Sequence, residues 1–184
     1  MLMRRALAFA VVVASTILAL AAARAEPVRT PNVEAELVSE RSALVPGQTA
    51  TVALRLKIRD HWHTYWQNPG DSGLPTTLDW KLPGGITAGP IQWPAPKALP
   101  AGPLVNFGYE GEVFHLVDLT VPATLPVGNP VTLAARADWL VCEDTCIPEG
   151  AELTLTLPVA ASATEHPRWG APVDYLAARA EARW

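Results

Sequence analysis

The stretch Thr51-Val52-Ala53-Leu54-Arg55-Leu56-Lys57-Ile58 carries the clearest structural instruction in this chain. Val52, Leu54, Leu56 and Ile58 alternate with Ala53, Arg55 and Lys57, the period-two pattern of a half-buried β-strand. Pro46-Gly47-Gln48 before it is a turn, and Val33 to Glu40 reads as a shorter strand beyond that turn. Towards the C-terminus, Val113 to Val121 sets Val113, Val117, Leu119 and Val121 on one face. Val131 to Val141 does the same with Val131, Leu133, Ala135, Ala137 and Trp139. Leu153, Leu155, Leu157 and Val159, opposed by Thr154 and Thr156, define a further strand. Short strands fit at Trp62–Trp66, Thr77–Lys81 and Ile86–Trp93, and only Val173 to Ala182 has a helical pattern. Short strands with frequent turns and no intervening helices predict an all-β antiparallel sandwich with a short C-terminal helix.

Composition agrees. The chain has 184 residues, enough for one domain, and with 49% hydrophobic and 17% charged residues it is no disordered polymer. Its 18 Pro and 12 Gly follow no period, which excludes collagen and disfavours a helical bundle, since Pro removes a backbone donor. Six of those prolines fall in the 21 residues from Pro83 to Pro103, a loop over the sandwich or an edge strand broken by Pro.

The N-terminus reads as a targeting segment. Arg4 and Arg5 precede an apolar stretch from Ala6 to Ala23, and Ala23-Arg24-Ala25 is an A-x-A cleavage pattern, so residues 1–25 form a cleavable secretory signal peptide. A membrane anchor is the alternative, because the stretch approaches the length of a bilayer span. The segment takes away three of 14 basic residues and none of the 18 acidic ones, leaving a formal charge of −7. An acidic, exported domain without a basic patch is a poor partner for nucleic acid. The main domain then spans 26–165, and 166–184 is a short helix or the start of a missing region.

Three clusters could carry chemistry. Cys142-Glu143-Asp144-Thr145-Cys146, with the only two cysteines, follows one strand and leads into the next, where a bend can bring the two thiols within bonding distance. A structural staple across so short a loop is worth roughly 2 kcal/mol, against about 4.7 for one closing about 100 residues. A tight bridge is also the easier kind to reduce. Redox exchange, a local staple and metal binding all stay open on the residues alone. Glu143 and Asp144 disfavour the thiolate and would slow adventitious attack. His61 and His63, within His61-Trp62-His63-Thr64-Tyr65-Trp66, share one side of a strand and could ligate copper or zinc beside the thiols. Two histidines on an aromatic strand are more often hydrogen-bonded or surface residues, and the tryptophans are more often core than a sugar platform. Val105 to Val113 places Phe107 and Tyr109 around Gly108 and before Gly111, as in a hinged loop with a hydrophobic tip or a simple turn packed on the core. There is no nucleophile elbow, phosphate loop or C-x-x-C pair.

At these clusters the chain resembles the exported N-terminal domain of the thiol:disulfide interchange protein DsbD family, in particular its ScsB-like branch. The residues that carry the resemblance are Arg59 to Trp66, Phe107 to Val113, and Trp139 to Pro148. It implies an immunoglobulin-like sandwich with a redox-active cysteine pair and no cofactor, a protein-disulfide reductase type of thiol–disulfide oxidoreductase in the periplasm. In the family, a thioredoxin-like domain fed by a polytopic membrane carrier supplies electrons. The acceptors are periplasmic disulfide isomerases and thioredoxins of cytochrome c maturation. Carried over, Cys146 forms the mixed disulfide, Cys142 completes the exchange, and Phe107, flanked by Gly108 and Tyr109, caps the pair. Tyr65 falls at an aromatic position near the cysteines. The chain departs from the family in its shorter cysteine spacing, in having Val105-Asn106 before the cap residue, and in lacking the membrane and thioredoxin-like segments. A non-enzymatic binding module with a structural disulfide and a copper or zinc domain are the alternatives.

Overall fold

In the computed structural model, which describes residues 24–173 and Leu176, the chain forms twelve strands. These are β1 (Arg24–Ala25), β2 (Val28–Arg29), β3 (Val33–Ser39), β4 (Thr49–Ile58), β5 (His63–Gly70) and β6 (Thr77–Lys81). They continue as β7 (Thr87–Ala88), β8 (Lys97–Ala101), β9 (Leu104–Glu110), β10 (Glu112–Thr120), β11 (Val131–Cys142) and β12 (Cys146–Leu157). Nearly all of the expected signal peptide and most of the expected helix lie outside the described residues. What is described of that helix is the turn at 170–173 and Leu176.

The strands build the expected antiparallel sandwich. One sheet has the order β2-β3-β4-β10-β7, and the other β1-β12-β11-β5-β9-β8 with β6 also against β11. The inward faces are the ones the alternation marks. Val52, Leu54, Leu56, Val117 and Leu119 of the first sheet meet Leu133, Ala135, Leu153 and Leu155 of the second in one buried cluster. Each buried Val or Leu among them contributes about 1.5–3 kcal/mol by leaving water.

Three elements differ from the sequence reading. The strand β4 is buried on both faces, because Trp169, Val173 and Leu176 lie over Val38, Ala53, Phe114 and Leu116 on the outer side. Between Pro83 and Pro103, Ile86–Trp93 shrinks to the two residues of β7 and a bridge at Gln92, while Lys97–Ala101 forms an edge strand that tolerates Pro100. The segment around Phe107, read as a loop or turn, is the strand β9, paired with β8 on one edge and β5 on the other.

Candidate redox site

The strands β11 and β12 pair along their whole length, from Val131 opposite Leu157 to Cys142 opposite Cys146, and Glu143-Asp144-Thr145 closes the hairpin. The two cysteines form a disulfide with Cα atoms 4.1 Å apart. Trp139 and Val141 point into the core, so strand alternation turns Cys142 to the outer face of the sheet. There Cys142 is nevertheless 1% exposed, whereas Cys146, Glu143 and Asp144 are exposed at the tip.

What covers Cys142 is β5. His63 stands directly opposite Cys142 in the ladder, and Tyr65, next along the same face, donates its hydroxyl to Cys142 Sγ at 3.0 Å. The same oxygen lies 3.6 Å from Cys146 Sγ and 3.3 Å from His63 Nε2. The His63 and Tyr65 rings meet edge to face with centroids 5.2 Å apart. Burial pushes the Tyr65 phenol up, which keeps it a donor, and pushes the His63 imidazole down against the opposing pull of Glu110.

The Tyr65 ring is itself wedged in place. Gly73, at φ +102°, packs on it so closely that a Cβ would overlap the ring. The segment carrying Gly73 is tied to β9: Asn106 Oδ1 accepts from the Ser72 amide at 3.0 Å and its hydroxyl at 3.1 Å, and Asp71 Oδ2 accepts from the Val105 amide at 2.8 Å. Opposite Tyr65 in the ladder stands Gly108, where a Cβ would run into the Thr64 carbonyl. Sequence reading named Asn106 only as a departure from the family before the cap residue, and did not single out Ser72 or Gly73. The Asp71-Ser72-Gly73 turn composition was their only local signal.

The remaining expected site residues fall elsewhere. Phe107 is 37% exposed and meets Trp66 edge to face, with centroids 6.5 Å apart. Its place next to Gly108 on an extended strand directs it to the opposite face from Tyr65. Tyr109 is buried and donates to the Pro94 carbonyl at 2.8 Å, its phenol pushed up by burial. His61 does not share a strand face with His63. It is exposed in the turn before β5 with a left-handed φ of 73°. Among the described residues no three His, Cys, Asp or Glu side chains are grouped to hold a metal ion. Beside the hairpin tip, Leu74, Pro75, Leu140 and Pro148, with Arg136, Asp138 and Glu149, line a mainly apolar groove of about 560 Å³.

Fold and site together define an all-β domain whose disulfide closes an exposed hairpin tip and is hydrogen-bonded by a buried tyrosine. The chain belongs to the family of N-terminal domains of the thiol:disulfide interchange protein DsbD, whose sequence model matches residues 34–158. No curated protein sequence matches it significantly. Among solved structures it is similar to the N-terminal periplasmic domain of ScsB from Proteus mirabilis, with a TM-score of 0.59 and 16% identity over 83% of this chain and 57% of that one. The chain thus spans little more than half of that domain's length, and the likeness supports the immunoglobulin-like sandwich. A yeast GGA1 GAE domain superposes less well, with a TM-score of 0.40 and 11% identity over 73% of this chain and 99% of that one. Among the described residues no helix is long and apolar enough to cross a membrane.

Proposed function

We propose that this chain is a periplasmic thiol–disulfide exchange domain that passes two electrons through Cys142 and Cys146 to partner protein disulfides. The observation that carries the reading is the asymmetry of the pair: Cys146 is open to a partner, while Cys142 is buried against the Tyr65 hydroxyl. A reductant thiolate attacks Cys146 Sγ, the disulfide opens, and the electron pair stays on Cys142. The reductant's second thiol then resolves the mixed disulfide and leaves the domain as a dithiol. Running the same steps backwards on a partner disulfide reduces that partner. Family membership supports a thioredoxin-like reductant and periplasmic thioredoxin-fold acceptors, and the leader pattern at residues 1–25 supports export. Exposed Ile147 at the hairpin tip, and exposed Leu74 at the groove, offer apolar contacts for such partners.

Trapping tests the order of events. Incubated with an oxidised thioredoxin-fold protein, reduced Cys142→Ser should accumulate a mixed disulfide through Cys146, and Cys146→Ser should give far less. Equal trapping by both, or trapping through Cys142 alone, contradicts the assignment. Phe107 belongs to this reading as a shield through the family resemblance, while the geometry turns its ring to Trp66. Iodoacetamide should alkylate the reduced thiols faster in Phe107→Ala than in the parent domain, and an equal rate removes the shield.

A further inference from the structure

Resting on the exchange reading above, we infer that His63 is a positioning residue for the redox step. Its Nε2–H holds the Tyr65 hydroxyl with the proton turned on Cys142, so the sulfur released when the disulfide opens meets a preset donor.

The phenol oxygen is shared by Cys142 Sγ, Cys146 Sγ, His63 Nε2 and the Ser72 side chain. Tyr65 has a single hydroxyl proton and gives it to Cys142 Sγ at 3.0 Å. With that proton on the sulfur, His63 Nε2, 3.3 Å away, faces an oxygen lone pair and donates as the Nε2–H tautomer, whereas the Nδ1–H tautomer would draw the phenol proton to itself. The backbone fixes both partners: His63 is held between Cys142 of β11 and Glu110 of β9, and Tyr65 between its glycine-lined walls. The charged and titratable groups facing the imidazole are Glu110, which is ion-paired to Lys97 at 3.2 Å, the Tyr65 phenol and the sulfur pair. Burial outweighs the Glu110 charge and keeps the imidazole neutral, in keeping with one ring proton placed at Nε2.

The chemical gain comes from how the acceptor changes. When the reductant dithiol's thiolate attacks Cys146 Sγ, a new S–S bond forms to Cys146. The Cys142–Cys146 bond breaks, and its electron pair becomes a thiolate on Cys142. A disulfide sulfur accepts hydrogen bonds weakly and a thiolate strongly, so the Tyr65 bond tightens along the reaction and favours the transition state over the ground state. The hydroxyl keeps its proton. His63 contributes by preventing the hydroxyl from turning that proton away from the sulfur.

Titration of Cys142 tests this. In the full chain carrying Cys146→Ser, Cys142 is the only thiol, and its ionisation is read by thiolate ultraviolet absorbance. Tyr65→Phe should raise its pKa by about one to two units, the worth of a hydrogen bond to a charged group. His63→Phe, which keeps a ring against Tyr65, should raise it by about one unit. His63→Gln, whose side-chain amide donates to the same oxygen, should restore most of that shift. With both cysteines present, reduction by dithiothreitol should slow a few-fold in His63→Phe, because a less acidic thiol leaves more slowly. If His63→Phe does not fold, His63→Asn, too short to reach the phenol oxygen, gives the same readout. A Cys142 pKa unmoved by loss of the His63 donor, in a variant with the parental unfolding midpoint, overturns the inference. Resistance of the folded parent domain to dithiothreitol would overturn the exchange reading instead, and the Cys142 titration still decides the role of His63.

Discussion

His115 shows how one buried group sets the pH response of the whole domain. It sits on the core face of β10, fully buried between Trp93 and Tyr109 at 4.9 and 5.3 Å between ring centroids. Neither ring nitrogen has a hydrogen-bond partner among the described residues. Burial pushes its pKa from 6.5 down to about 3. Between those values the unfolded chain binds a proton that the folded chain refuses, so stability falls as the pH drops through 6.5 towards 3. The slope from this group is at most about 1.4 kcal/mol per pH unit. His63 and His166, also lowered, add slope of the same sign, and Glu36, raised by burial, opposes it. Urea unfolding from neutral pH to pH 4 should show His115→Leu with a flatter pH dependence than the parent, and an unchanged slope contradicts the account. Parity along Val113, Val117 and Leu119 already put this position on the core face, and only its polarity hid it. His63 was hidden differently. Its pairing with His61 assumed an extended strand, and the positive φ at His61 turns the chain before β5 begins.

At the scale of elements, the C-terminal segment works as a cover for the outer face of β3, β4 and β10. Arg55, 5% exposed, is ion-paired with Glu34 at 3.1 Å, Glu36 at 3.4 Å and Glu112 at 2.7 Å. The Trp169 ring closes over its guanidinium at 5.1 Å, is flanked by Arg168 at 4.1 Å, and meets Phe114 edge-on. His166 anchors the turn by accepting from the amides of Arg168 and Trp169, both at 3.2 Å. Trp169→Ala opens this lid and should cost about 2 kcal/mol in urea unfolding, less than a fully buried tryptophan because the ring is partly exposed. A loss within about 0.5 kcal/mol would place the segment outside the cooperative unit. Nothing in the alternation of Thr51–Ile58 announces a second buried face, because Arg55 reads as a solvent position, as Lys57 is, until it is seen buried against three carboxylates. Thr77–Lys81 was legible to the residue, having clean turns on both sides. The strand β9 was not, because Gly108 and Gly111 read as hinges although Gly108 is the residue that lets two backbones approach.

Across the whole molecule, the sandwich provides a rigid frame and the hairpin β11–β12, with 12 residues in each strand, carries the disulfide to its edge. The inward-facing residues of β4, β11 and β12 were legible because their apolar residues recur at every second position. The nearness of Tyr65 to Cys142 was legible through the family resemblance alone, because it joins residues 77 apart in sequence and no period reports such a contact. Closing so short a loop contributes roughly 2 kcal/mol, little for a domain whose core buries this many leucines and valines. The pair therefore matters most through its chemistry. The reduction potential of Cys142–Cys146, measured by equilibrating the folded chain in dithiol buffers and trapping the thiols, addresses that directly. Exchange requires a value well above about −300 mV, the region below which structural disulfides lie. A value below it, or reduction only on unfolding, would make the bridge a staple and leave the family likeness as a matter of fold alone.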